Sequence, residues 1–194
     1  MTEPLEKNVV KNALREHLRT VYHLLESVDY VSKMEEIAAA CKDVLMANGK
    51  IILCGNGGSA ADCQHISAEL VGRFRKNRKG IPAIALTVDT SILTALGNDF
   101  SFDRVFSRQV EALGNKGDIL IALSTSGNSQ NVINAVIEAH RHELKVIGLT
   151  GQTGGRLADL CDYVVRIPSD DTARIQEAHI LTAHILCEMI EESL

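Results

Sequence analysis

The sequence predicts an α/β protein with three layers, in which helices cover both faces of a five-stranded, mostly parallel sheet. Five short apolar runs alternate with helical segments after residue 50, which is typical of parallel strands joined by crossover helices. Two of these runs end in loops of glycine, serine and asparagine that lead directly into a helix. Two amphipathic segments precede the first strand and predict an N-terminal helical hairpin.

The chain is predicted to form a single domain over residues 1–194, with a helical extension at 1–49 and an α/β core at 50–194. The helices of the extension are predicted at about 5–28 and 30–47. Asn48-Gly49 is the expected C-terminal stop of the second helix. The apolar faces of both helices must be buried against the core or against another subunit.

The elements of the core follow from apolar runs and the glycine-rich or polar breaks between them. Strands are predicted at 51–54, 82–87, 118–123, 144–150 and 162–168. Helices are predicted at about 59–70, 90–96, 102–113, 130–140, 156–160 and 172–192. Residues 97–99 are predicted to form a loop, and the fifth strand is expected near a sheet edge because it is the least hydrophobic.

The composition argues against several classes of protein. A formal net charge of −5 is unsuited to a non-specific nucleic-acid binder, which normally presents a basic surface. No apolar run reaches 18 residues and the N-terminus lacks an apolar signal segment, so no membrane partner is expected. The five cysteines form no Cys-x-x-Cys pair and are predicted to be reduced core thiols of a cytoplasmic protein.

The segment from Lys50 to Arg73 carries the first candidate site. Its strand ends in Gly55-Asn56-Gly57-Gly58-Ser59, and a helix follows with Ser59 as the expected N-cap. Free backbone N–H groups and the helix dipole at such a turn favour an anion. His65 and Glu69 share one helix face at a spacing that allows two side chains to bind one metal ion, although such pairs also occur by chance.

The second candidate site is the loop between another predicted strand and helix, Ser124-Thr125-Ser126-Gly127-Asn128-Ser129. Four hydroxyl groups in six residues, next to the free N–H groups of a helix start, favour a phosphoryl group. The alternative is a capping loop, which would need a single Ser or Asn side chain. Both loops follow the carboxyl ends of strands, where ligands bind in parallel sheets.

Other polar segments have simpler explanations. His179 lies in the apolar last helix and is predicted to make an ordinary hydrogen bond in the core. The basic segment 74–80 is predicted to be a solvated connector, whereas Arg73 lies near enough to the first helix to face a substrate phosphate.

Several motifs, in order along the chain, resemble those of the phosphoheptose isomerases, bacterial sedoheptulose 7-phosphate isomerases of the sugar-isomerase (SIS) domain class. The matching segments are Cys54–Asp62, Gln64-His65, Gly97–Asp99, Ser124–Ser129 and Arg174–His179. The resemblance extends over essentially the whole chain. It implies a flavodoxin-like SIS fold, a homotetramer and one Zn²⁺ per subunit. It also implies conversion of sedoheptulose 7-phosphate to D-glycero-D-manno-heptose 7-phosphate for lipopolysaccharide heptose.

The resemblance also implies roles for individual residues. Implied metal ligands are His65, Glu69, Gln176 and His184. Implied substrate contacts are Asn56, Gly57, Gly58, Glu69, Asn98, Asp99, Ser124, Thr125, Ser126, Ser129 and Gln176, to which the loop positions add Ser59 and Arg73. One departure is Ala173, where some members carry Asp, although Asp170 and Asp171 lie just upstream.

Isomerisation of a ketose to an aldose moves a proton between C1 and C2 through an enediol, so it needs a base and an acid. Glu69 is expected to be the base and His184 the acid, as the resemblance also suggests. Zinc would either polarise the carbonyl or hold the geometry. A carboxylate bound to zinc is a poorer base, and the sequence leaves open how Glu69 would serve both roles.

Gln176 and His184 are eight residues apart, which is roughly 12 Å along a straight helix and about 80° around it. One metal ion can bind both only if their side chains reach toward each other or if more than one subunit contributes. We therefore predict that the active sites lie at subunit interfaces.

Two other interpretations of the sequence compete with an isomerase. Gly55-x-Gly57-x-x-Ala60 fits a dinucleotide fingerprint, but positions 73–80 lack the acidic residue that would bind the ribose. A non-catalytic SIS-domain module that binds a sugar phosphate, or regulates a replication initiator, would be expected to lack the metal and acid–base set. Because that set is present here, the enzyme is favoured.

Overall fold

The computed structural model describes residues 8–194. Its helices are α1 (Val9–Leu25), α2 (Val28–Met46), α3 (Gly58–Val71), α4 (Thr90–Asp99), α5 (Ser107–Leu113), α6 (Gln130–Arg141), α7 (Gly155–Ala158) and α8 (Thr172–Ser193). Its strands are β1 (Ile51–Gly55), β2 (Ala83–Ala85), β3 (Ile119–Ser124), β4 (Lys145–Thr150) and β5 (Tyr163–Arg166). The sequence predicts that the first helix begins near residue 5, and residues 5–7 lie outside the described part of the chain.

The five strands form one sheet in the order β2-β1-β3-β4-β5, and all four pairings are parallel. This is the flavodoxin-like order, in which the connections reverse direction between β1 and β3. The predicted α/β class is confirmed, and the fifth strand lies at an edge as expected. The loops after β1 and β3 are brought side by side at the carboxyl edge of the sheet.

Two apolar cores lie on opposite faces of the sheet. Along β1, Ile51 and Leu53 enter one core and Ile52 and Cys54 enter the other, because successive strand residues point to opposite faces. Helices α2, α3 and α8 supply the first core, and α5 and α6 supply the second. Strands buried on both faces explain why their sequences are continuous apolar runs rather than alternating ones.

The predicted N-terminal hairpin is formed by α1 and α2. Ser27 caps α2 by accepting a hydrogen bond from the Tyr30 N–H, and Asn48 ends the helix in a left-handed conformation with φ of 62°. The hairpin packs against α8, where the Tyr30 hydroxyl lies 3.0 Å from the Thr182 Oγ1. The opposite side of α1 leaves large apolar side chains such as Leu18 exposed.

Several predicted boundaries were wrong near the loops. Residues 97–99 form the last turn of α4 instead of a loop. The helix predicted at 102–113 is divided into a 3₁₀ turn at Phe102–Arg104 and the shorter α5. The second strand is only the three residues of β2. Elements with few buried residues carry a weak apolar pattern, which explains these errors.

The predicted thiol state of the five cysteines is confirmed, since all five are free. Burial raises the pKa of Cys41 to about 12, so this thiol stays protonated at neutral pH. Across residues 8–194, no helix has both the length and the apolar content needed to cross a membrane.

Candidate active site

The loops after β1 and β3 are joined by a pair of amide side chains. Asn56 and Asn131 each donate a side-chain hydrogen bond to the other, both 2.8 Å long. Asn131 is buried at the start of α6, where its side-chain oxygen also accepts from the Val132 N–H. Sequence reasoning missed Asn131, and its only signal was a polar residue on the apolar face of a helix that follows a serine-rich loop.

The glycine loop starts α3 without help from a capping side chain. The helix begins at Gly58, and the N-cap is Gly57 with φ of 56°. The prediction of Ser59 as the N-cap was therefore wrong, because Gly57 adopts a conformation that side chains disfavour and the N-cap lies two residues earlier. Ser59 is buried inside the first turn instead. The exposed start of α3 retains the character of an anion site.

Gln176 lies directly over this loop. A Cβ atom on Gly58 would stand 2.7 Å from both Nε2 and Oε1 of Gln176, so a larger residue at 58 would displace the amide. Gln176 thus links the start of α8 to the start of α3. Gly58 precedes His65 by seven residues, which is roughly 10 Å along the helix.

The serine loop after β3 is organised by its own hydroxyl groups. The Ser124 Oγ donates to the Ser129 Oγ at 3.1 Å, and the Asn128 N–H donates to the Ser126 Oγ at 3.1 Å. Ser129 occupies the N-cap position of α6, but its side chain makes no capping hydrogen bond. The capping alternative therefore does not explain Ser129. Thr125 anchors the loop through its carbonyl, which accepts from the Gly151 N–H.

Three predicted metal ligands meet between α3 and α8. The Nε2 atoms of His65 and His184 are 3.0 Å apart, and the His65 Nε2 is 3.2 Å from the Glu69 Oε1. One ligand atom from each of the three residues lies within 4.8 Å of the others. We call His65, Glu69 and His184 the triad. Residues from sequence positions more than 100 apart are thus brought together by the packing of two helices.

The triad fits a zinc ion. Tetrahedral zinc with ligand bonds of about 2.0–2.1 Å places neighbouring ligand atoms roughly 3.3 Å apart. Two of the three separations within the triad, 3.0 and 3.2 Å, are close to that value, and the third is within 4.8 Å. Two imidazoles and a carboxylate also form a donor set that zinc accepts, with a fourth position left for another ligand.

Other predicted substrate contacts form no hydrogen bond with the triad among the described residues. Asn98 and Asp99 are exposed at the end of α4, where the Asn98 side chain donates to Asp99 at 2.8 Å. Arg73 is exposed just after α3. Within residues 8–194, no hydrogen bond joins any of these three side chains to the triad.

The start of α8 is tied to α1. The Arg174 guanidinium donates to the Ala13 carbonyl and to Glu177, and Glu177 also pairs with His17 at 2.7 Å. Asp171 caps α8 by accepting from the N–H groups of Ala173 and Arg174. Of the two acidic residues upstream of Ala173, Asp171 is therefore engaged as a helix cap.

His179 makes the predicted core hydrogen bond. It is fully buried, and its Nε2 lies 3.2 Å from the Thr150 carbonyl oxygen. Burial lowers the pKa of His179 to about 4, with the Thr150 hydrogen bond acting in the opposite direction. His179 is therefore a neutral, buried side chain with a structural role in the core.

The basic segment 74–80 is mostly exposed, as predicted for a solvated connector, but its backbone is also anchored to α8. Three successive backbone N–H groups, those of Phe74, Arg75 and Lys76, donate to the buried carboxylate of Glu191 on α8. More than 110 residues separate the partners, so no local pattern in the sequence could indicate this contact.

Comparison with known proteins identifies the family. A family profile described as SIS domain matches residues 16–151. The chain is 52% identical over 193 residues to a phosphoheptose isomerase of a Nitratiruptor species, with 100% of both chains covered. The chain belongs to the phosphoheptose isomerase family. The resemblance found in the sequence motifs is confirmed over the full length.

Solved structures of phosphoheptose isomerases have the same fold. A structure from Neisseria gonorrhoeae is 46% identical with a TM-score of 0.89, and covers 94% of this chain and 97% of its own. A structure from Francisella tularensis is 38% identical with a TM-score of 0.91, and covers 95% of this chain and 97% of its own. The flavodoxin-like SIS fold and its N-terminal helices are therefore properties of the family.

Proposed function

We propose that this phosphoheptose isomerase converts D-sedoheptulose 7-phosphate to D-glycero-D-manno-heptose 7-phosphate, a precursor of lipopolysaccharide heptose. The observation that carries the proposal is the triad, two imidazoles and a carboxylate that could hold a metal ion and transfer protons, on the helix that follows the glycine loop and on α8. Full-length relatives that are named phosphoheptose isomerases favour an enzyme over a non-catalytic SIS-domain module.

The two loops are suited to the phosphate end of the substrate. Ser59, Ser124, Thr125, Ser126 and Ser129 offer hydroxyl groups near the starts of α3 and α6, where backbone N–H groups favour an anion. The Asn56–Asn131 pair holds the two loops at a constant separation. Arg73, Asn98 and Asp99 stay predicted contacts to the same substrate.

Glu69 and His184 would move the protons. The Glu69 carboxylate takes a proton from C1 of the ketose while the C2 carbonyl oxygen receives a proton from Nδ1 of His184, the nitrogen left free when Nε2 faces the metal position, which gives the enediol. Return of a proton to C2 and loss of the proton on the C1 hydroxyl then give the aldose. The steps consume no oxidant or reductant, since hydrogen is only redistributed within the sugar and with the solvent.

His65, Glu69 and His184 would hold one Zn²⁺ per subunit, with Gln176 as the predicted fourth ligand. When bound, zinc supplies Lewis-acid stabilisation of the negative charge that develops on the substrate oxygens. Glu69 would be its ligand through one oxygen, which leaves the other oxygen available as the base. Gln176 would reach such a site only by turning from its position over Gly58.

We infer a cytoplasmic homotetramer with active sites at subunit interfaces. The predicted contacts Asn98 and Asp99 lie on α4, which buries none of its residues in the isolated chain. Apolar side chains are also exposed beside this helix, among them Phe100 and Phe102. A neighbouring subunit that covered this surface would bury apolar area and bring polar groups to the substrate.

The proposal is tested by NMR of sedoheptulose 7-phosphate incubated in D₂O with zinc-loaded protein. We expect resonances of the aldoheptose with solvent deuterium at C2. Glu69→Gln and His184→Gln should each lower the rate by about 10²–10⁴-fold, since each removes a proton-transfer group. An unchanged substrate spectrum from folded, zinc-loaded protein would refute the isomerase and point to the binding module.

A further inference from the structure

Glu191 is a buried carboxylate near the end of α8. Its side chain is 2% exposed, and four donors surround it. The N–H groups of Phe74, Arg75 and Lys76 donate to it at 3.1, 2.8 and 2.8 Å, and the Arg78 Nε donates at 2.9 Å. Because a carboxylate accepts up to about four hydrogen bonds, this site uses its full capacity.

Arg78 connects the same carboxylate to α3. Its two terminal nitrogens donate to the carbonyl oxygens of Leu70 and Glu69, at 2.8 and 2.9 Å. These carbonyls belong to the last turn of α3, where no N–H group of the helix is available to donate to them. Arg78 therefore binds the backbone of a triad residue and the carboxylate on α8 at once.

Phe74 extends the connection to the triad on α8. Its ring is stacked on the His184 ring, with centroids 5.7 Å apart and an angle of 27° between the planes. Its backbone N–H is held by Glu191, which follows His184 by seven residues and thus lies on the same face two turns later. Arg75 adds a contact with Glu188 between the two.

We propose that Glu191, Arg78 and Phe74, together called the Glu191 clamp, are positioning residues that set the separation of α3 and α8 and the orientation of the His184 ring. The clamp contacts both helices that supply the triad, at Glu69 on α3 and at His184 on α8. It leaves the Nε2 of His184 directed at His65, 3.0 Å away. The functional importance of that orientation rests on the proposed isomerase and its zinc site.

The clamp is suited to this role because it is both charged and buried. A glutamine at 191 would keep the size of the side chain but would present an NH₂ group to donors and would leave Arg78 unpaired. The next residue offers a matched control. Glu192 pairs with Lys76 through a side chain that is 64% exposed, so its change to glutamine alters the net charge equally.

The first test is ¹H–¹³C NMR of metal-free protein labelled at histidine, with the His184 signal assigned from its loss in His184→Gln. In Phe74→Leu the His184 signal moves downfield because the ring stacked on it is gone. Glu191→Gln should shift the signal in the same direction, and Glu192→Gln should leave it unchanged. This readout needs neither zinc nor turnover, so it tests the clamp even if the proposed function is wrong.

The second test is the dissociation constant for Zn²⁺, measured by competition with a chromophoric chelator. We expect about a tenfold increase in Glu191→Gln and in Phe74→Leu, as is found when groups that orient metal ligands are removed, and no change in Glu192→Gln. A folded Glu191→Gln with the wild-type His184 signal and zinc affinity would overturn the proposal. If Glu191→Gln does not fold, wild-type zinc affinity in Phe74→Leu would overturn it.

Discussion

At the scale of single residues, Gly58 is constrained by the side chain that lies on it. We expect Gly58→Ala to lower kcat/KM by about 10–100-fold, because the added methyl would displace the Gln176 amide. Circular dichroism should show an unchanged fold, since Gly58 is exposed. Wild-type kinetics in Gly58→Ala would show that the position of Gln176 is unimportant.

His179 should make the stability of the fold depend on pH. Its pKa falls from 6.5 in the unfolded chain to about 4 in the core, so below pH 6.5 the unfolded state binds a proton that the folded state excludes. The free energy of unfolding should therefore decrease from pH 6.5 to about pH 4, by up to about 3 kcal/mol. Urea titrations of wild type and His179→Gln across this range measure the difference, and parallel curves would contradict it.

At the scale of elements, the Asn56–Asn131 pair joins the two loops that follow β1 and β3. Asn131→Ala should lower the free energy of unfolding by about 1–3 kcal/mol, because the Asn56 amide loses its partner. Inorganic phosphate should also raise the melting temperature of Asn131→Ala by less than it raises that of the wild type. Gln130→Ala, at an exposed position one residue earlier, should change both quantities less. Equal effects of the two substitutions would argue against a special role for the pair.

The same scale shows where sequence patterns succeed. The central strands β1 and β3 were predicted because each is a continuous apolar run, and their burial on both faces requires such runs. The loops at their ends were predicted from residue types that suit a helix start. By contrast, α4 buries none of its residues, so its apolar pattern could not show that it extends through Asp99.

At the scale of the whole molecule, one face of α1 exposes large apolar side chains, which favours burial against a partner subunit. Val10, Leu14, Leu18 and Tyr22 recur every four residues and are 58–69% exposed. Leu18→Glu should weaken the proposed tetramer by placing a charge in a buried apolar surface. Sedimentation velocity should then show smaller species, whereas Asn12→Glu, the same charge change on another side of α1, should not. A wild-type sedimentation profile for Leu18→Glu would exclude this face from the interface.

The assembled site was only partly predictable. His65 and Glu69 share one helix, so their spacing alone placed them together. His184 required the family resemblance, because it comes from a helix more than 100 residues later. The Glu191 clamp was not predicted, since its carboxylate and its donors are joined only by tertiary packing. The arrangement of residues 1–194 as one domain stays a prediction.

The amide pair between Asn56 and Asn131 has a consequence for the range of conditions in which the substrate can be held. Amides neither gain nor lose protons between acid and alkaline solution, so this connection keeps its geometry over a range of pH in which general acid–base catalysis changes strongly. Retention of the sugar phosphate should thus tolerate acidification better than its conversion does. The enzyme would keep hold of a substrate that it had temporarily lost the ability to transform.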